Sequence, residues 1–172
     1  MSSVPEAIEL SPWSPMWPVT YDIERERLLQ VFGTDTVRLE HIGATAIEGV
    51  GGRPIVDILL GVPDLSILER HIPDLVADGY RHVPEIELAT PQRRFLVKTH
   101  GHPGHFHVHA VALDSPFWKQ TLAFRDVLRE VPGIADLYLQ AKKRILTRHP
   151  SDRAKYTEQK STFIKSVLDK AK

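Results

Sequence analysis

The feature that most constrains this chain is the run Ile55-Val56-Asp57-Ile58-Leu59-Leu60, a strand-length apolar stretch interrupted by one carboxylate. Successive residues of a strand point to opposite faces, so apolar residues at nearly every position require cover on both. Such a strand belongs inside a sheet with helices packed against it. Asp57 falls on the face of Ile55 and Leu59, where an ionised carboxylate is costly unless it is paired or metal-bound. The competing reading places it at the exposed end of the strand.

The flanking segments supply the rest of an α+β domain over residues 1–172. Pro5, Pro12, Pro15 and Pro18 make residues 1–18 an extended arm whose Trp13, Met16 and Trp17 lie on the body. Residues 19–114 form the sheet core. A short helix runs from Thr20 to Gly33, with Ile23, Leu28, Val31 and Phe32 on its apolar face, and residues 37–42 alternate like a strand. Residues 65–78 carry an apolar stripe of Leu65, Leu68, Ile72, Leu75 and Val76 before Gly79, which predicts a helix on the sheet. Residues 93–99 and 105–113 read as a hairpin turning at 101–104. Residues 115–172 are helical in three pieces, 116–130, 134–148 and 152–170, parted by Pro132-Gly133 and Pro150-Ser151.

Charge and cysteine content narrow the function classes. With 22 Lys+Arg against 22 Asp+Glu there is no global field to draw the chain to nucleic acid or an anionic membrane, and no basic stripe with interleaved aromatics. Nucleic acid and membrane are therefore not the expected partners. The absence of Cys excludes disulfides, thiolate zinc sites and a cysteine nucleophile. The first residues lack the basic start and apolar stretch of a signal peptide, and no run is long enough to span a bilayer, so the expected location is cytoplasmic.

Chemistry concentrates in two places. The first is His41-Ile42-Gly43-Ala44-Thr45 followed by Gly49, Gly51, Gly52, Arg53 and Asp57. Glycines let backbone N–H groups approach an anion, Arg53 adds a positive fork, and a carboxylate on the next strand holds a metal against that anion. The alternative is a turn-forming connection with Arg53 paired to a surface acid. His41 shares its face with Val37 and Leu39 and reads as a buried, satisfied histidine. The second place is His100-Gly-His102-Pro-Gly-His105-Phe-His107-Val-His109, in which His105, His107 and His109 share one strand face. Imidazoles at i and i+2 chelate a cation such as zinc. Asp57, His107 and His109 are thus candidate metal ligands and catalytic residues; the competing reading is a metal-free polar pocket with acid–base histidines. His100, His102 and His105 fit a solvated turn.

In the helices, Arg125 falls on the stripe of Trp118, Leu122 and Leu128, and Lys160 on that of Tyr156, Phe163 and Val167. Both cations point inward, either as structural ties to acids or as one wall of an anion site. Arg94 and Lys98, on the strand before the histidines, are candidates to join that wall. Lys142, Lys143, Arg144 and Arg148 read as a solvated helix face.

Glu40-His41-Ile42-Gly43-Ala44-Thr45-Ala46, Gly49-Val50 and Arg53-Pro54-Ile55-Val56-Asp57-Ile58-Leu59 together resemble the signature of the GrpB family, a bacterial group. His107-Val108-His109, residues 124–129 (Phe-Arg-Asp-Val-Leu-Arg) and Tyr156-Thr157 with Lys160, Phe163 and Ile164 extend the resemblance over nearly the whole chain from Trp17. It implies a mixed sheet of the nucleotidyltransferase type with a C-terminal three-helix bundle, and it brings Asp57 beside the 105–109 strand. It implies substrate-binding roles for Gly43, Ala44, Thr45, Arg53, Lys98, Arg125, Tyr156 and Lys160. Ala44 stands where the wider superfamily has Ser, and Leu59 where it has a second carboxylate, so the acids for two-metal chemistry are not all present. Two functions are expected. One is a divergent nucleotidyltransferase-fold enzyme, a transferase or metal-assisted hydrolase or cyclase, acting on a phosphorylated or anionic small molecule with zinc, magnesium or manganese. The other is a non-catalytic nucleotide or small-anion binding module.

Overall fold

A computed structural model describes residues 10–33, 36–99, 105–148 and 153–170. His100, His102 and the 101–104 turn lie outside them, as do residues 1–9 of the arm. In chain order the elements are α1 (Met16–Phe32), β1 (Arg38–Ile42), a 3₁₀ turn (Ala44–Ala46), β2 (Val56–Val62), α2 (Leu65–Ala77), β3 (Arg81–His82), α3 (Pro84–Glu87), β4 (Arg93–Lys98), β5 (Phe106–Ala112), α4 (Pro116–Glu130), α5 (Pro132–Arg148) and α6 (Arg153–Lys170). No described helix is long and apolar enough to cross a membrane.

The strand order is β1-β2-β5-β4-β3. β2 pairs parallel with β5 and every other pair is antiparallel, so the sheet is mixed. As the apolar run requires, Ile58, Leu59 and Leu60 are all fully buried, covered on both faces. One face carries the main core, where Leu28 and Phe32 of α1 and Leu68 and Leu75 of α2 pack on Ile58, Leu60, Leu96, Phe106 and Val108. On the other, Trp118 of α4 packs on Ile42, Leu59 and Val111. A third cluster joins Ala46, Ile47 and Val50 to Leu128, Ala135 and Tyr138, fastening the C-terminal helices to the loop after β1.

Local signals set the helix starts. The Asp64 carboxylate accepts from the Ser66 N–H, and the Ser115 hydroxyl caps Trp118 ahead of Pro116. The first helix departs from expectation: it begins at Met16, not Thr20, and Pro18 lies inside its first turn, where a missing N–H forfeits no helical bond. Its buried stripe is Trp17, Tyr21, Glu24, Leu28 and Phe32, whereas Ile23 and Met16 are exposed. Val76 of α2 also faces solvent. β3 and α3 are too short to produce a periodic signal and lie unpredicted between residues 80 and 88.

Candidate functional site

Register brings the chemistry together. Asp57 pairs with His107 across the parallel β2–β5 ladder, and Leu59 with His109, so the carboxylate and both imidazoles share the face under the C-terminal helices. His109 Nε2 lies 3.2 Å from Asp57 Oδ1 and His107 Nδ1 lies 3.8 Å from the same oxygen. Burial pulls the Asp57 carboxyl upward, but the hydrogen bond from His109 and the charges of His109, His107 and Lys160 outweigh it, holding the group below the ordinary carboxylate range. Burial lowers His107 to about 4, with Asp57 opposing, which leaves it neutral at pH 7. His105, on the same face, is exposed at the strand's start.

The glycine loop closes over this carboxylate. Gly43 adopts φ 76°, and a Cβ there would sit 2.6 Å from Asp57 Oδ2. Gly43→Ala combines left-handed strain with that collision and is expected to lower stability by about 2–4 kcal/mol in urea denaturation, displacing Asp57 from His109. A loss under about 1 kcal/mol would show that the turn yields without disturbing the acid. The loop is held from four sides. Trp13 Nε1 donates to Thr45 O at 3.2 Å, Ser11 pairs with Gly52, Arg129 Nε donates to Ala46 O at 3.0 Å, and Lys142 Nζ donates to Gly51 O at 2.8 Å. His41 is buried beneath, stacked on Tyr21 and hydrogen-bonded to Thr45 Oγ1 at 2.8 Å.

Ala44, Thr45, Arg53, Ile55, Asp57, Lys142 and Lys160 line one small cavity of about 30 Å³. Gly43, Ala44, Thr45, Arg53 and Lys160 are therefore where an anion site needs them. Lys142 is a correction: it is buried in the cavity wall rather than solvated on a helix face. Burial, then Lys160 and Arg53, lower its ammonium to about 7, against the pull of Asp57. A signal for it exists in the sequence, since Ala135, Tyr138, Lys142 and Ile145 recur at helical spacing and the other three are buried.

Two other expected ligand-binding cations are used elsewhere. Lys98 pairs in register with Phe106, one residue out of phase with His107, so it projects through the opposite face. There its Nζ lies 3.0 Å from Glu24 and 3.0 Å from Asp78. Arg94 follows it to that face and pairs with Glu69 at 2.9 Å. Arg125 is a structural tie: it binds Glu40 at 2.6 Å, Asp126 at 2.9 Å and the His41 carbonyl. Tyr156 belongs to α6, with its side chain outside the described set. Asp57, His107 and His109 do meet, yet among the described residues no group of three His, Asp or Glu side chains is arranged to hold a metal ion. No step is derived through one.

The GrpB protein profile matches residues 7–170. The chain belongs to the GrpB family. A UPF0157 protein of Streptomyces coelicolor is 34% identical over 97% of this chain and 87% of its own length. UPF0157 protein YqkA of Bacillus subtilis is 32% identical over 96% of this chain, which spans 47% of that protein. A dephospho-CoA kinase of Mycolicibacterium paratuberculosis is 26% identical over 95% of this chain and 46% of its own. The crystal structure of GrpB from Enterococcus faecalis superposes with TM-score 0.79 at 28% identity, covering 95% of this chain and 99% of that one. A cytoplasmic RNA terminal U-transferase superposes with TM-score 0.50 at 14% identity over 78% of this chain and 44% of that one, a likeness of fold. The GrpB sheet is thus of the nucleotidyltransferase type, with Asp57 and the Gly43-Ala44 turn at the site that the sequence resemblance implies.

Proposed function

We propose that this GrpB domain binds a phosphorylated small molecule against Arg53, Lys142 and Lys160 and acts at its phosphoryl group. The observation that carries this reading is the convergence of three cations on one cavity whose floor is a single carboxylate. Guanidinium and ammonium groups fixed in a half-buried cleft stabilise charge on phosphoryl oxygens as it develops. The cavity has room for about one water, so an oxyanion enters as Arg53 and Lys160 at the half-buried rim give way. Lys142 is the group that gains and gives up a proton there. Its pKa of about 7 suits acid–base work at neutral pH, whereas His107 at about 4 and the depressed Asp57 do not. The kinship with a protein named dephospho-CoA kinase accords with a phosphate-bearing ligand. This chain has no G-x-x-x-x-G-K-S/T sequence, so the proposal is confined to the Asp57 cleft.

Sulfate, which does not titrate near neutrality, tests the reading by calorimetric titration from about pH 6 to 8.5. Affinity is expected to fall as pH rises through about 7, and both affinity and its pH dependence to drop in Lys142→Met. Arg53→Met weakens binding without removing the pH dependence. Binding untouched by either substitution refutes the proposal. The same lysine has a stability signature. Its folded pKa lies below its ordinary 10.5, so between about pH 7 and 10.5 the unfolded chain binds more protons and stability rises with pH. That rise is expected to shrink in Lys142→Met.

A further inference from the structure

The histidine beside Asp57 has a second neighbour that the family signature does not include. Arg93 Nη1 lies 3.3 Å from His109 Nδ1, on the far side of the ring from the carboxylate. Register explains the contact: Phe95 pairs with His109 and Arg93 with Val111, which makes Arg93 the diagonal neighbour of His109 on one face of the β4–β5 ladder. The guanidinium is clamped there, 5.6 Å over the Phe95 ring and 5.6 Å over the Phe117 ring. Its Nε is buried with no hydrogen-bond partner, so the Nη1 contact is not incidental to a fully satisfied group.

We propose that Arg93 is a positioning residue that fixes His109 as its Nε2–H tautomer, making it a hydrogen-bond donor to Asp57 and unfit to ligate a metal through that nitrogen. A guanidinium has only donors, so His109 Nδ1 must accept, and in the neutral ring the one proton then sits on Nε2. That proton points at Asp57 Oδ1, 3.2 Å away, and Arg93, His109 and Asp57 form a chain of donors ending on a carboxylate. Histidines that bind metals have the reverse polarity: the ligating nitrogen is bare and the other ring N–H donates to a carboxylate or carbonyl. Here the atom facing the candidate metal position is the protonated one. The chemistry expected from the sequence, with His109 as metal ligand or base at the cleft, is therefore replaced by one in which His109 keeps Asp57 ionised and oriented. This inference concerns the chain's own hydrogen bonds and holds whatever occupies the cleft.

Long-range ¹H–¹⁵N correlation spectra of the whole protein at pH 7 read the tautomer directly. The expected result is an unprotonated Nδ1 and a protonated Nε2 for His109, assigned by its loss in His109→Gln, and a pattern unchanged by excess zinc. Arg93→Lys, which retains a donor, is expected to keep the pattern. Arg93→Met is expected to lose it, the two nitrogen shifts moving toward each other as both tautomers populate. A merely structural arginine would leave the tautomer unchanged in any folded variant. A protonated Nδ1 in the wild-type protein, or zinc that binds and abolishes the Nε2 proton signal, overturns the proposal. The wild-type spectrum decides the question even where Arg93→Met fails to fold.

Discussion

Replacing Lys98 by Met is expected to lower folding stability by about 3–5 kcal/mol, the cost of stranding a buried charge. Lys98 Nζ lies 3.0 Å from Glu24 Oε1, and Glu24 is fully buried. The Tyr80 hydroxyl donates to the same oxygen at 2.7 Å, and burial and the Glu24 charge push that hydroxyl's pKa up, so it stays a donor. Glu24 Oε2 has no partner, which leaves one tyrosine to satisfy the carboxylate once the ammonium is gone. Methionine fills much of the same volume, so the loss reports charge more than packing. The double variant Glu24→Gln/Lys98→Met is expected to recover most of the deficit. Urea midpoints of the four proteins give the coupling. A loss below about 1 kcal/mol in the single variant would show that Glu24 is not ionised beside Lys98.

Acidification is expected to weaken the fold well before its carboxylates titrate. His41 is held near 4 by burial and then by Arg129, against the pull of Asp57, and His107 near 4 by burial. Both folded values lie below the ordinary 6.5, so between about pH 6.5 and 4 the unfolded chain binds more protons than the folded one. Stability is then fully present above pH 6.5 and falls as pH drops, by up to about 1.4 kcal/mol per pH unit for each histidine. Asp57, depressed rather than raised, adds its own loss only below its ordinary value of 3.8. Urea unfolding at intervals from pH 7 to about 4.5 should show a steep slope in the wild-type protein and a shallower one in both His41→Gln and His107→Gln. A flat profile across that range contradicts both assignments.

The two histidine environments also show which parts of the site the sequence discloses. Strand alternation is a local rule, so the shared face of His105, His107 and His109, and the buried place of His41, are legible from spacing alone. The meeting of Asp57 with His107 is a matter of register between strands about 50 residues apart, and it came from the resemblance to GrpB. Lys98 was misplaced for the same reason: its own strand fixes its parity relative to Val97, but only the pairing of Val97 with His107 says which face that is. Lys142 is hidden differently. Its neighbours Lys143 and Arg144 are exposed and mask a position whose burial depends on Gly51, 91 residues away. Arg93 was not singled out because its role lies in a diagonal contact between strands, for which spacing gives no sign. The helix boundaries, by contrast, follow from capping residues within a turn of each start, and only Pro18 and Thr20 misled.

The loop over Asp57 holds three glycines between residues 49 and 52, yet four separate parts of the fold grip it: the arm at Ser11 and Trp13, α4 through Arg129 and α5 through Lys142. Its disorder is thus surrendered when the chain folds, and an arriving anion meets a preorganised roof without an ordering penalty of its own. The same grip makes the roof a lever. A pull on the arm at Ser11 is transmitted through one backbone pair to Gly52, beside the Lys142 ammonium, so tension or a bound neighbour at the N-terminal side reaches the anion cleft without passing through the sheet.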